Sequence, residues 1–458
     1  MRSFEPARTG SSGRTIDKYS IIPLAACVYA LIVFPLIIAS CGTSDVACLY
    51  ESRPESKIFW PAMAAISVIL ALRNLPRLRF PAHILWLFAY LVFAGASVLW
   101  AFKPEFAFIR FAQQMMIVSS IVVPVILAAR TVDLMRGLFL CFALAAILNL
   151  LFILFGRPPI DTKFATWGYP GYFAGKNYLG EFATAAILLS VHEMLYPGLR
   201  RISGIVIVVI ATALLVLSNS KTSMGIAVVA PMLAALTLFI KRTTRLSPAI
   251  VLLSIPICFA VFSSVTGFSV NRLSNILFGD PTFTGRTVIW DFADIEIARR
   301  PLFGWGYQSF WLVGPDSPSI VDAPGWVKYM PNAHSGYLDT MLETGYLGFT
   351  VLVIFIATTL HAIGRMADHA RARAWIVLSL ALHIIITNGL ESIWLRGFEP
   401  LWVVFLILAA DIARYREPSL PAGNVYGPQA AFRPESPGPV GPRRLPGVRR
   451  HPPKRATA

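Results

Sequence analysis

The sequence predicts an all-α integral membrane protein with about 12 transmembrane helices. Of its 458 residues, 56% are apolar and only 14% are charged, and the mean hydropathy is +0.64. Soluble proteins usually carry roughly 25% charged residues, so this chain has too few polar side chains to cover a globule of its size. Apolar stretches of the ~20 residues needed to cross a bilayer recur along most of its length. These observations exclude soluble enzymes, disulfide-framework domains and disordered scaffolds.

Twelve apolar stretches are predicted as spans, separated by segments that contain charged residues, glycine or proline. They lie at 21–40, 58–72, 82–100, 107–128, 137–155, 178–196, 203–218, 224–240, 247–266, 337–364, 375–390 and 401–413. The second and seventh are short for a hydrocarbon core of ~30 Å. We therefore expect these two helices to be tilted or partly buried.

The positively charged residues predict the orientation. With the N-terminus inside, about two thirds of the 40 Lys and Arg residues fall in inside segments, as the positive-inside rule requires. This rule explains the net charge of +16 without invoking nucleic acid as a partner. It predicts a cytoplasmic N-terminal segment at 1–20, a membrane domain at 21–413, and a disordered, Pro- and Arg-rich cytoplasmic tail at 414–458.

One external segment, 267–336, is far longer than the other loops, and loops of this length are usually functional. Its stretch TVIWDFADIEIARRPLFG has apolar residues at helical spacing. This pattern predicts an amphipathic helix near the membrane, with Thr284 as a candidate N-cap. On the same side, Cys41 and Cys48 bracket a short loop, and a disulfide between them is compatible with an oxidising compartment.

Polar and charged groups at the outer ends of the spans are candidate binding residues, because ionisable groups in membrane segments are costly. Arg110 lies one turn into the fourth span, where snorkelling to the interface is the ordinary alternative. Lys176 and Asn177 stand where the sixth helix should begin, and a cation beside free helix N–H groups forms an anion site. Ser220 and Lys221 belong to the turn SNSKTS, whose backbone N–H, hydroxyl and ammonium groups could together bind a phosphate. The alternative is a simple polar turn.

The long external segment supplies the remaining candidates. Arg286 is the best choice for a diphosphate, because the guanidinium fork matches phosphate geometry. Trp290 offers a flat face for a sugar, as do Trp305, Phe310 and Trp311, although interfacial tryptophans are more often anchors. His334 stands at the turn before a helix and is suited to take a proton near neutral pH.

Two further polar residues, Asn332 and Glu343, flank His334 in the sequence PNAHSGYLDTMLETGYLGF and are candidate substrate contacts. No HExxH or paired-His spacing indicates a metal site, so we expect neither a metal nor a cofactor. The sequence thus predicts several cations and one candidate base at the outer lip of an apolar bundle. A lipid diphosphate sugar suits such a site, because its tail lies in the bilayer, its anionic linkage at the interface and its polar head outside.

At these residues the chain resembles the O-antigen ligase and Wzy-type polymerase superfamily, closest to its exopolysaccharide-production polymerase branch. The resemblance rests on four motifs in order, GKNYLGEF, SNSKTS, TGRTVIWDFADIEIARRPLFGWGYQSFW and NAHSGYLDTMLETGYLGF. The motifs cover about 170–350, and the layout of spans extends the likeness to nearly the whole chain except the tail. The resemblance implies a metal-independent membrane glycosyltransferase of the C-type architecture, acting at the periplasmic face of the bacterial inner membrane.

By the same resemblance, the donor is a glycan on undecaprenyl diphosphate and the acceptor is another lipid-linked sugar. Arg286 and Lys221 would hold the diphosphate and stabilise it as leaving group. His334 would act as base or orient the acceptor, and Lys176 and Asn177 would line the same entrance. Membrane lipids, a flippase and chain-length regulators are the candidate partners. The chain departs from relatives at Lys221, where they more often have Arg, and at Gly175, where His commonly precedes the KN pair.

Three functions stay open at this point. Polymerisation of exopolysaccharide or O-antigen repeat units is favoured, because the stretch from GRTVIW to GWGYQSFW resembles exopolysaccharide polymerases. A ligase that joins the glycan to lipid A–core shares the same motifs. A polysaccharide transporter or flippase is the alternative from another class, but the repeated halves typical of transporters are not apparent in the sequence.

Overall fold

The structure is a computed structural model. It describes residues 18–39, 53–128, 131–156, 167–269, 271–272, 275–276, 279, 282–283 and 285–413. Within these ranges the regular elements are all helical, and no β-strand is present. Four predictions lie wholly or mostly outside the described residues: the N-terminal segment 1–20, the Thr284 cap, the pairing of Cys41 with Cys48, and the tail 414–458.

The longer helices are numbered here in chain order. They are α1 (Lys18–Val28, continued by Tyr29–Val33 and Phe34–Ala39), α2 (Pro54–Arg73), α3 (Ala82–Ala96), α4 (Pro104–Leu127), α5 (Thr131–Leu151), α6 (Lys176–Met194), α7 (Leu199–Ser218), α8 (Lys221–Thr244), α9 (Pro248–Thr266), α10 (Arg286–Arg299), α11 (Gly336–His369), α12 (Arg371–Thr387) and α13 (Pro400–Ile412). Short helical turns lie at Leu75–Arg77, Ser97–Trp100, Phe152–Gly156, Pro318–Val321 and Gly325–Tyr329.

A helix forms at each of the twelve predicted span positions, and the protein is an all-α, multi-pass membrane protein. Among the described residues, 9 helices are long and apolar enough to cross a membrane. The helix α13 is also apolar, but its 13 residues are fewer than the ~20 needed to cross a bilayer. The remaining two predicted spans correspond to α6, which carries more polar residues, and α12, which has 17 residues.

Several helices extend beyond the predicted spans. The helix α2 has 20 residues and begins at Pro54, four residues before the predicted start. The helix α7 also has 20 residues, because Leu199 and the two arginines after it join its first turn. Hydropathy ends a span at the first charged residue, whereas the backbone hydrogen bonds of a helix continue into the polar interface. The second and seventh spans were predicted to be short, but α2 and α7 have an ordinary transmembrane length.

The interior of the bundle is formed by α6, α11, α12 and α13. The helix α6 packs against α7, α8 and α12, and α11 packs against α3 and α12. The helix α13 is buried along its whole length. By contrast, α7 and α9 expose large apolar side chains such as Val209 and Val261, which are 64% and 58% exposed. Such exposure is stable where the surrounding solvent is lipid.

Pro301 and Leu302, in the long segment between α9 and α11, contact a break in α11. Gly345 has φ 63° and ψ −170°, values that a residue with a Cβ rarely adopts. The break leaves the Tyr346 N–H without a helical partner, and it donates to the Pro301 carbonyl at 2.7 Å. A Cβ on Gly345 would lie 2.4 Å from the backbone of Leu302. Glycine is therefore required where the external segment touches the membrane helix.

The helix α10 turns its apolar face toward the protein. Ile289, Phe292 and Ile297 are buried in one cluster with Phe310 and Trp311. The sequence predicted an amphipathic helix near the membrane, and the structure shows that these side chains pack within the external segment and against α11. Of the residues considered as faces for a sugar, Phe310, Trp311 and Trp305 are buried in this cluster.

Candidate active site

Three of the predicted site residues contact one carboxylate that was not among the predictions, that of Glu391. Glu391 lies in the loop between α12 and α13. Its Oε2 lies 2.9 Å from His334 Nδ1, and its Oε1 accepts hydrogen bonds from Arg286 and, at 2.8 Å, from Asn177 Nδ2. We refer to Asn177, Arg286, His334 and Glu391 as the Glu391 cluster. It joins the first, third and fourth motifs, although they are far apart in sequence.

The second motif joins the cluster through Asn177. Ser220 Oγ donates to Asn177 Oδ1 at 3.4 Å, and Ser220 also caps α8, since its side chain accepts from the Ser223 N–H. Lys221 is the first residue of α8 and is exposed. It lies near enough to Lys176 for the two charges to interact. Two cations and the start of α8 thus stand beside the cluster, where a helix N-terminus favours anions.

The loop that carries Glu391 is fixed against the start of α11. The Gly336 N–H donates to the carbonyls of Asn388 and Glu391 at 2.9 and 3.0 Å. The Asn388 side chain in turn accepts from the N–H groups of Ile393 and Trp394. A Cβ on Gly336 would lie 2.2 Å from Asn388 Oδ1. This close approach holds the Glu391 backbone beside the turn that carries His334.

His334 adopts a strained backbone conformation. Its φ is 47°, in the left-handed region, which costs a non-glycine residue roughly 1–3 kcal/mol and is frequent at functional sites. The His334 N–H donates to Asn332 Oδ1 at 2.9 Å, and the Trp290 indole donates to the Ala333 carbonyl at 3.1 Å. The predicted residues Asn332 and Trp290 therefore support the turn that presents the imidazole. Of that side chain, 31% is exposed.

Electrostatics keep the carboxylate of Glu391 ionised. Burial raises the pKa of Glu391, but the hydrogen bond with His334 and the charge of Arg286 outweigh burial, so the pKa lies below its ordinary value. The Glu391 and Arg286 side chains are only 12% and 13% exposed. The Nε of Arg286 is buried and has no hydrogen-bond partner among the described residues. A buried guanidinium N–H without a partner is costly, and a bound anion would supply one.

A cavity of about 480 Å³ opens beside His334. Its polar lining residues include His334, Asn332, Glu181 and Glu399. The rest is apolar and is lined mainly by α1, α5, α6 and the start of α13, through side chains such as Leu31, Phe34, Phe142, Phe182 and Leu401. The cavity can therefore take a ligand that has both a polar and an apolar part.

Arg110 and Glu343 lie in a second charged cluster, around Arg396. Arg396 NH2 lies 3.0 Å from Asp339 Oδ2 and 2.8 Å from Glu343 Oε1. Arg110 donates to the Gln308 carbonyl and interacts with the charges of Arg396 and Glu343. The expectation that Glu343 joins His334 at a substrate site is not supported, because Asp339 and Glu343 are one helical turn apart and both face Arg396.

The site residues predicted from the sequence did not include Glu391, Arg396 and Glu399, which lie in the short loop GLESIWLRGFEP. A signal was present, because three ionisable residues within nine positions between two apolar spans are unusual at a membrane interface. The loop lacked a recognisable motif, and nothing in the sequence indicated which cations would face it. Within the described residues, no group of three or more His, Cys, Asp or Glu side chains is placed to hold a metal ion.

Two comparisons with known proteins bear on this site. Residues 206–353 match the family model for O-Antigen ligase. The chain is also 29% identical over 300 residues to the exopolysaccharide production protein ExoQ of Rhizobium meliloti (strain 1021), over 60% of this chain and 64% of that protein. The chain thus spans less than two thirds of that relative's length. Together the comparisons show similarity to the O-antigen ligase and Wzy-type family, which confirms the resemblance that the motifs predicted.

Proposed function

We propose that this protein is a membrane glycosyltransferase of polysaccharide biosynthesis. It transfers a glycan from undecaprenyl diphosphate to a lipid-linked sugar acceptor at the periplasmic face of the bacterial inner membrane, with both termini cytoplasmic. The comparisons support a polymerase or ligase role. The observation that carries the proposal is the convergence of Arg286, Asn177 and His334 on Glu391, beside a cavity that has both polar and apolar lining residues.

In the proposed reaction the acceptor hydroxyl attacks the anomeric carbon of the donor glycan. A carbon–oxygen bond forms there, the bond from the anomeric carbon to the phosphate oxygen breaks, and undecaprenyl diphosphate leaves with the electron pair. The hydroxyl proton passes to His334 Nε2. This nitrogen is available because Nδ1 faces the Glu391 carboxylate at 2.9 Å, an arrangement that sets the tautomer of the ring.

The diphosphate would be held by the cations around the cluster. Arg286 offers its unpartnered Nε–H to a phosphate oxygen, and Lys221 and Lys176 add positive charge at the start of α8 and α6. These groups oppose the negative charge that develops on the leaving group. The apolar part of the cavity has the chemistry to accept polyprenyl chain, since it is lined by aliphatic and aromatic side chains.

We favour a polymerase over a ligase, because the curated relative is named for exopolysaccharide production. A polymerase needs lipid-linked glycan as both donor and acceptor, whereas a ligase needs a second acceptor such as lipid A–core. In the cell, a flippase would deliver the donor to the outer face and chain-length regulators would set the size of the product.

The test uses the purified full chain in lipid vesicles, with a synthetic undecaprenyl diphosphate oligosaccharide as the only substrate. A gel ladder of longer lipid-linked products is the expected result. The variant His334→Ala should lose the ladder by about 10²- to 10⁴-fold, the usual contribution of a general base. The matched control is His369→Ala at the exposed far end of α11, the helix that follows His334, and it should retain the ladder.

Each result separates the alternatives. A single transfer that requires added lipid A–core identifies a ligase. Equal ladders from wild type and His334→Ala remove His334 from the chemistry. No product with any lipid acceptor, from protein that is folded and inserted, refutes the glycosyltransferase proposal and favours a transporter.

A further inference from the structure

A second cavity lies at the opposite ends of two helices that begin at the Glu391 cluster. The helix α8 begins beside Asn177 and α11 begins beside His334. A cleft of about 690 Å³ lies between the turn that joins α8 to α9 and the last turns of α11. Since α8 has 24 residues, its 1.5 Å rise per residue places the cleft about 36 Å from the candidate active site.

The cleft is strongly cationic. Its lining includes five basic residues and one carboxylate: Lys241, Arg242, Arg245, Arg365, Arg371 and Asp368. Only Lys241 among these cations forms an ion pair within the part of the chain that the structure describes, and its partner is Asp368. The four arginines are exposed. A surplus of positive charge on facing walls is unfavourable unless an anion enters between them.

The walls of this cleft are held in place by direct contacts. Ser247 Oγ lies 2.9 Å from His361 Nδ1, which ties the start of α9 to α11. Gly364 allows Pro248 to approach so closely that a Cβ would lie 2.6 Å from its ring. The ion pair of Lys241 with Asp368 joins α8 to α11. The cations from the two chain segments therefore face each other across a defined space, unlike basic residues scattered along loops.

Apolar side chains adjoin the cations. Phe239 lines the cleft and is 63% exposed, and Leu246 and Ile250 beside it are 44% and 58% exposed. A soluble anion would not contact this apolar surface. An anionic lipid can place its phosphate among the arginines and its acyl chains along the apolar side chains. Guanidinium groups also match the geometry of a phosphate.

We propose that this cleft binds the phosphate headgroup of an anionic phospholipid of the cytoplasmic leaflet. The site is separate from the candidate active site and does not depend on the proposed glycosyl transfer. Arg242 and Arg365, which lie on opposite walls, bind the phosphodiester, and Phe239 contacts the acyl chains.

The test is native mass spectrometry of the full chain released from vesicles of equal phosphatidylglycerol and phosphatidylcholine. We expect the wild type to retain phosphatidylglycerol selectively. The double variant Arg242→Gln/Arg365→Gln should retain it about 30-fold less, from the loss of two basic residues at a membrane surface. The matched control is Arg73→Gln/Arg77→Gln, which removes two exposed arginines at and after the C-terminal end of α2. The alternating course of the helices puts them on the same side, outside the cleft.

Three outcomes would overturn the proposal. The first is equal retention of phosphatidylglycerol by the cleft variant and the wild type. The second is an equal loss from both double variants, which would reflect overall charge and not the cleft. The third is displacement of the lipid by millimolar inorganic phosphate, which would identify a site for a free anion. Circular dichroism in phosphatidylcholine checks that the variants are folded, and Arg365→Gln alone replaces the double variant if that does not fold.

Discussion

The imidazole of His334 and the carboxylate of Glu391 form a hydrogen-bonded pair, with Nδ1 and Oε2 2.9 Å apart. Glu391 also binds Arg286 and Asn177, so one carboxylate connects three of the motifs. Because Nδ1 faces Glu391, Nε2 of the imidazole points away from this carboxylate. The ring therefore lies beside a negative charge. A histidine held in this way is oriented for proton transfer and stabilised once it has accepted the proton.

Glu391→Gln should lower kcat by about tenfold or more, because an amide can still contact the imidazole but supplies no negative charge. The KM for the lipid donor should change less than kcat, since an amide oxygen can still accept from Arg286 and Asn177. The measurement is steady-state ladder formation by Glu391→Gln, His334→Ala and the double variant. If the pair works as a unit, the double variant is no slower than His334→Ala. Additive losses would separate the two residues.

Arg286→Lys should reduce kcat/KM by about 10- to 150-fold, the equivalent of one lost charge-assisted hydrogen bond. Lysine keeps the positive charge beside Glu391 but loses the guanidinium fork. Arg299→Lys is the control, because Arg299 lies at the exposed end of the same helix and pairs with Asp322. Full activity of Arg286→Lys in lipid would show that charge alone is needed there.

Stability should depend on pH through Glu399. Burial and the charge of Glu391 raise the pKa of Glu399 to about 8, against the opposing effect of Arg396. Between its ordinary pKa and about 8, the folded state keeps a proton that the unfolded chain has lost, so stability falls as pH rises through this window. Glu399→Gln should flatten the Tm profile from pH ~5 to ~8. Glu105→Gln, an exposed carboxylate at the start of α4, is the control, and an unchanged profile for Glu399→Gln would contradict the prediction.

Activity should survive exhaustive chelation. The proposed step uses the protein's own cations to oppose the charge of the leaving diphosphate, and this requires no bound metal. We expect ladder formation in EDTA to match that in untreated vesicles. Loss of product that is restored by adding back a divalent cation would refute metal independence.

Reporter fusions test the predicted orientation. The positive-inside rule places residue 310 outside and residue 430 inside. An alkaline phosphatase fusion at the first position and a fluorescent protein at the second should both be active. The reversed pattern would move the Glu391 cluster to the cytoplasmic side and exclude the proposed periplasmic reaction.

The positions of the helices could be predicted from sequence alone, because the cost of burying polar groups in lipid is a local property of each segment. The start of α8 is one example, since the turn SNSKTS indicated both the helix end and Ser220 beside an anion site. The same reasoning selected Arg286 and His334, and in the structure both form hydrogen bonds with the Glu391 carboxylate. Residue type and position at a span end were sufficient for these choices.

Only the tertiary structure decided which of these polar groups work together. Glu343 and Glu391 are both acidic residues near the outer ends of spans, yet one pairs with Arg396 and the other with Arg286 and His334. The partner of each carboxylate depends on how helices far apart in sequence pack, and on Gly336 and Gly345 admitting backbone contact. Hydrophobicity determines that a segment enters the membrane, but lipid is equally apolar on all sides of a helix. The neighbours of each helix are therefore set by packing and by paired buried charges.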